Sequence, residues 1–164
     1  MNQLINILNG FVYNLRAEPE LLQIIKPLII VFNDQLDITD RAKIVKSYNI
    51  MESDDMNLYS QIEQSILRDL KDVDMISLDQ FIEVVKSYTV TRIGSREIYK
   101  VMDLWIQFRW EEVIVDREIV TEMYSYFYES GLISSKTISN LRKFIWSYLN
   151  SYINNINIET KDDK

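Results

Sequence analysis

Apolar residues recur every three to four positions along almost the whole chain. Ile98, Val101, Met102, Trp105 and Ile106 make one such stripe; Ile138, Leu141, Ile145 and Leu149 make another. This is the period of an amphipathic helix that buries one face. Period-two alternation is rare and brief, and no Asn-Gly or Asp-Gly pair marks a hairpin turn. The interruptions between stripes carry helix-start signals. Ser77 precedes Gln80 at capping-box spacing, with Ile76 and Phe81 placed to form a hydrophobic staple. Asp37 and Asp116 stand at comparable points behind Leu36 and Val115, while Ser95 and Ser134 follow the glycine-containing turns "RIGS" and "SGLIS". Pro19 suits a first helical turn, and Pro27 is expected to kink or split its helix. The pattern predicts about eight helices, over 2–15, 19–33, 38–50, 54–71, 78–91, 96–110, 117–129 and 135–153, followed by a frayed tail.

Aligning the caps exposes a longer period. Asp37, Ser77 and Asp116 are 40 and 39 residues apart. Beneath them fall "LDITDRAKIVKSY", "ISLDQFIEVVKSY" and "VDREIVTEMYSYF". The middle apolar pair matches as Ile44/Val45, Val84/Val85 and Met123/Tyr124, and the closing aromatic as Tyr48, Tyr88 and Phe127. In the shared "VKSY", Val and Tyr are expected to face inward, and Lys and Ser to face water. A second helix follows each copy: "NLYSQIEQSIL", "SREIYKVMDLWI" and "TISNLRKFIWSYL". One such helix pair cannot bury its apolar faces alone, but stacked neighbours can. The expected fold class is therefore all-α, a short right-handed-type stack of helical hairpins with a repeat near 40 residues. It forms a single domain over 1–153: a divergent N-terminal hairpin at 1–36, repeats at 37–76, 77–115 and 116–153, and a polar C-terminal tail at 154–164.

Composition narrows the chemistry. At 164 residues, 47% apolar and 12% aromatic, the chain can fill one core. It has no cysteine and no histidine, which excludes disulfides, zinc sites built on those residues, and Cys-His or Ser-His nucleophiles. Gly10, Gly94 and Gly131 are too far apart for a phosphate loop. The carboxylate pairs Asp54/Asp55 and Glu111/Glu112 are sequence neighbours, so they diverge on a helix and form no acid–base dyad. Asp72, Asp74 and Glu83 fall at calcium-loop positions one, three and twelve. Ile76 and Ser77 nevertheless occupy positions five and six, where a ligand and a glycine are needed. A capped helix start accounts for those letters better. Neither an enzyme, a cofactor nor a metal site is expected.

The net charge is −7, and it is uneven: residues 1–82 carry 7 basic and 13 acidic side chains, residues 83–164 carry 11 and 12. Such a chain binds nucleic acid poorly unless it has a local basic patch. The longest apolar stretch, "LLQIIKPLIIVF", contains Gln23, Lys26 and Pro27, so no transmembrane segment is expected. "MNQLINILNGFVYNLR" does not read as a secretory signal; it is amphipathic, with Arg16 as its one basic side chain. Ile, Asn and Tyr are abundant and Ala is scarce, a bias of AT-rich codons.

The segments "NLYSQIEQSILRDLKDVDMISLDQFIEVVKSY" and "GSREIYKVMDLWI" resemble the degenerate helical-hairpin repeats of FAST-kinase-type and octotricopeptide-type organellar proteins. The resemblance spans residues 37–150 and rests on apolar spacing. It implies a helical stack, a mitochondrial or plastid setting in a protist-like lineage, and often RNA as a partner. The acidity and the lack of a recognisable C-terminal catalytic or RNA-processing module depart from the family.

The best cationic strip is Arg92, Arg96 and Lys100, four residues apart, with Arg109 beyond. In "WIQFRWEE", Trp105, Phe108, Arg109 and Trp110 surround most of a helix end and cannot all face one core. Arg92, Arg96, Lys100, Trp105, Arg109 and Trp110 are therefore the candidate partner-binding residues. The expected function is a non-catalytic accessory subunit of a larger mitochondrial assembly, of respiratory-chain or ATP-synthase type, bound to other protein subunits. The alternatives are an organellar RNA-binding repeat protein, which the charge disfavours, and a small viral-type effector that captures a host protein. The expected location is mitochondrial, otherwise cytoplasmic, and not secreted; peripheral association with a membrane stays open.

Overall fold

The computed structural model describes residues 19–51 and 55–162, and helical backbone at Gln3, Asn6 and Gly10; the side-chain surroundings of Pro19, Leu21 and residues 152–162 lie outside the description. The helix expected over 2–15 falls almost wholly outside the described residues. Eight α-helices and no strand are found among the described ones. They are α1 (Pro19–Phe32), α2 (Ile38–Ile50), α3 (Met56–Lys71), α4 (Leu78–Thr91), α5 (Arg96–Phe108), α6 (Trp110–Val113), α7 (Arg117–Ser130) and α8 (Ser135–Asp162). Short 3₁₀ turns at Asn33–Gln35 and Val73–Met75 lead into α2 and α4.

The starts are fixed by the expected caps. Asp37 accepts from the N–H of Asp40 at 2.7 Å. Ser77 and Gln80 form a reciprocal capping box, at 3.3 and 3.0 Å. Asp116 accepts from Glu118 and Ile119, Ser95 from Glu97 and Ile98, and Ser134 from Thr137. Each such bond satisfies an N–H that the helix itself leaves unpaired. α4 and α7 end in left-handed residues, Arg92 (φ 56°) and Gly131 (φ 65°).

The hairpins stack in two layers. α2 packs on α4 and α4 on α7; α3 packs on α5 and α5 on α8. Within the first layer the buried columns are Arg41–Phe81–Val120, Ile44–Val84–Met123 and Tyr48–Tyr88–Phe127. The Val and Tyr of both "VKSY" copies are buried, as expected. Their serines are a correction: Ser47 and Ser87 are buried as well. α4, held between α2 and α7 and backed by the second layer, keeps only a narrow strip for water, which Lys86 occupies half-exposed; Lys46 is half-exposed at the matching place on α2. Arg41 stands where its counterparts are Phe81 and Val120. Its guanidinium donates to the Asn33 carbonyl at 2.8 and 3.1 Å and pairs with Asp69, so the buried charge is matched.

α1 joins the second layer. It packs on α3, with Leu22, Ile25 and Ile29 buried, and the Tyr48 hydroxyl donates to the Leu22 carbonyl. Pro27 lies inside α1 without splitting it. The expected helix 96–110 breaks after Phe108, and α8 continues through the expected tail to Asp162.

Candidate partner-binding surface

The six singled-out residues separate into three groups. Trp105 and Arg109 are structural, which corrects their assignment to a binding surface. Trp105 is buried and stacks on Phe81, ring centroids 3.9 Å apart and 10° from parallel. Arg109 lies over the Trp105 ring at 5.0 Å. It donates to the carbonyls of Val73 at 2.6 Å and Ile76 at 3.2 Å and pairs with Glu112. That tie binds the end of α5 to the turn before α4.

Arg92 ends α4 and donates to the Glu129 carbonyl at 3.0 Å, linking the C-terminal ends of α4 and α7. Arg96 and Lys100 are exposed on the first turns of α5, beside Glu97. Of the strip, Arg92, Arg96 and Lys100 are exposed, while Arg109 is drawn into the fold. Trp110 is half-buried at the start of α6 and lines a 380 Å3 cleft with Phe108, Lys136 and Asn140. Phe108, one turn from the buried Trp105, is 75% exposed.

A larger open groove of 910 Å3 runs along α7, lined by Arg117, Glu118, Thr121, Glu122, Ser125, Tyr126 and Tyr148. Lys86 of α4 bridges to Glu122 at 2.9 Å, and that carboxylate raises the Lys86 pKa above the usual value. Arg117 lies over the Tyr148 ring at 3.9 Å. Burial, then Glu122, raises the Tyr126 phenol above its usual pKa. Glu122 is thus matched by Lys86, and among the described residues no three acidic side chains converge on a metal-sized site.

Equivalent positions of the repeats show an open apolar surface on α7 and α8. Ala42 and Ile82 correspond to Thr121 on α7, and Val45 and Val85 to Tyr124; Thr89 corresponds to Tyr128. On α8, Leu67 and Gln107 correspond to Trp146, and Leu70 and Trp110 to Leu149. The copies in α2, α3 and α4 are all buried. On α7 and α8 no further hairpin of the described chain covers them: Tyr128 is 64% exposed, Trp146 60% and Leu149 40%. Tyr124 stacks on Tyr128 at 5.6 Å. This surface lies at equivalent positions of the 40-residue repeat, whereas the cationic strip and the aromatic cluster of the sequence lie around α5. No protein-family model matches the chain, and no curated protein or solved structure is significantly similar to it.

Proposed function

We propose that the protein is a non-catalytic interaction module that presents the open face of its helical stack, on α7 and α8, to another protein. The observation that carries this reading is the exposure of Tyr128, Trp146 and Leu149 at positions whose counterparts on α4 and α3, Thr89, Leu67 and Leu70, are buried. Exposed aromatic anchors of this kind dominate protein interfaces. In the α7 groove the Glu122 carboxylate is held by Lys86 and Arg117 lies over Tyr148, an arrangement that supports a binding role over a catalytic one. The resemblance to organellar repeats takes the proposal one step further, to an accessory subunit of a mitochondrial assembly.

Purification from the native cells under mild conditions, with mass spectrometry, tests this. The expected result is stoichiometric co-purification with mitochondrial proteins. A monomer with no stoichiometric companion overturns the reading. RNA recovered in a complex that weakens steeply with salt would replace it with the RNA-binding alternative.

A further inference from the structure

We infer that the open face docks a helical hairpin of a different protein, one whose second helix begins with a carboxylate cap set against Arg142. This rests on the interaction reading above and names the partner's chemistry.

The second-layer helices run in register. Ile25, Ile62, Met102 and Leu141, on α1, α3, α5 and α8, form one buried column. The residues directly after them, Lys26, Glu63, Asp103 and Arg142, form the next. Each of the first three reaches forward to the residue that caps the following second-layer helix. Lys26 Nζ pairs with Asp55 Oδ2 at 2.5 Å. The Ser95 N–H donates to Glu63 Oε2 at 2.9 Å, and Ser134 Oγ donates to Asp103 Oδ1 at 2.9 Å. The caps Asp55, Ser95 and Ser134 are themselves 40 and 39 residues apart.

The junction thus has two forms in this one chain. An acid reaches to a serine cap, or a cation reaches to an acidic cap. Arg142 is the fourth member of the column, and it is a cation. No described carboxylate pairs with it. The chain's own precedent, Lys26 on Asp55, says what complements it. A carboxylate at a helix N-terminus is favoured by the helix dipole and can take a guanidinium in two parallel hydrogen bonds. A serine cap would leave Arg142 unmatched.

A second copy of this chain fits less well. Among the described residues its one acid-capped second-layer helix is α3, and Asp55 there is already held by Lys26 of α1, which packs on α3. On the same face of α8, four and seven residues after Arg142, stand the exposed Trp146 and Leu149, and with the exposed Tyr128 of α7 they suit a packed helical partner rather than an extended peptide.

The test uses the full-length chain carrying Arg142→Lys, which keeps the charge and supplies an amine. It is added to an extract of the native cells and treated with a carbodiimide, which joins amines to carboxylates with no spacer. The expected product is an amide from position 142 to an Asp or Glu at the start of a helix in a different protein. Its yield should fall about tenfold with Trp146→Ala, the loss of one interface anchor. Arg142→Glu in the otherwise natural chain should abolish co-purification of that same protein. Circular dichroism of the Trp146→Ala protein separates lost binding from lost folding. If the linked carboxylate lies in a second copy, if Trp146→Ala leaves the yield unchanged, or if the chain enters a complex without a product at position 142, this inference falls and the interaction reading stands. If the chain enters no complex, both fall.

Discussion

Phe81 and Trp105 lie face to face, 3.9 Å apart and nearly parallel, and join the first helix of the central repeat to its second. Both rings are buried, and Arg109 closes the far side of Trp105. Phe81→Ala removes the stack and leaves a cavity between the two layers. The expected cost is about 3–5 kcal/mol. Urea unfolding followed by circular dichroism checks it; a loss below about 1 kcal/mol would mean that the two layers do not depend on this contact.

Gly94 and Gly131 both sit in turns, for different reasons. A Cβ on Gly94 would meet Ile98 Cγ2 at 2.5 Å, Tyr88 Cδ1 at 2.7 Å and Tyr99 Cε2 at 3.1 Å. All three belong to buried side chains, so little can yield. Gly94→Ala is expected to cost about 1–3 kcal/mol by overpacking. Gly131 has nothing within 4 Å but holds φ at +65°. Gly131→Ala is expected to cost about 1–2 kcal/mol, from the backbone alone. Gly131→Asn, which tolerates that conformation, should recover most of the loss, whereas Gly94→Asn should be worse than Gly94→Ala; melting temperatures of the four proteins decide this.

The helix starts and the 40-residue period were legible in the sequence because caps and staples act within four residues of one another. What escaped acts across the fold. Helix α5 stops at Phe108 because Arg109 is tied to carbonyls of Val73 and Ile76, more than thirty residues earlier. Ser47 and Ser87 read as water-facing, but a helix with neighbours on several sides buries small polar residues too. α8 runs on to Asp162, through an Asn-rich segment whose composition suggests fraying. Of the candidate surface, the aromatic cluster of "WIQFRWEE" was visible, but not which rings point inward. That depended on Phe81 being available to stack on Trp105. The open face on α7 and α8 depended on knowing which helix packs on which.

Tyr88 and Tyr99 exchange one hydrogen bond and leave one hydroxyl over. The Tyr99 hydroxyl donates to the Tyr88 carbonyl at 2.8 Å, while the buried Tyr88 hydroxyl has no partner among the described residues. A buried unsatisfied hydroxyl costs free energy, and removing it relieves that cost. Tyr88→Phe should leave stability unchanged or raise it by up to about 1 kcal/mol, and Tyr99→Phe should lower it by about 0.5–1.5 kcal/mol. Paired urea denaturation curves test the contrast. Equal losses in both would show that the Tyr88 hydroxyl is satisfied in solution, for instance by a buried water.

The same phenols set an alkaline limit to stability. Burial, then Glu63, raises the Tyr88 pKa well above its usual value; burial and then Asp55 raise that of Tyr48. Burial pushes Tyr99 up to about 12, against a lowering hydrogen bond from the Gly94 backbone. Unfolded phenols lose their protons near pH about 10. Above that pH the folded chain binds more protons than the unfolded one, so stability falls as pH rises. The contribution is fully present below about pH 10 and disappears as pH climbs towards the folded values. With no histidine or cysteine in the chain, no side chain of those types adds a step between the carboxylates and the phenols. The urea midpoint should therefore be nearly flat from about pH 6 to 9 and then drop steeply. Tyr99→Phe removes one of the titrating groups, so its curve should fall less steeply above about pH 10 even though it starts lower. Parallel slopes for the two proteins would show that Tyr99 ionises without opening the fold.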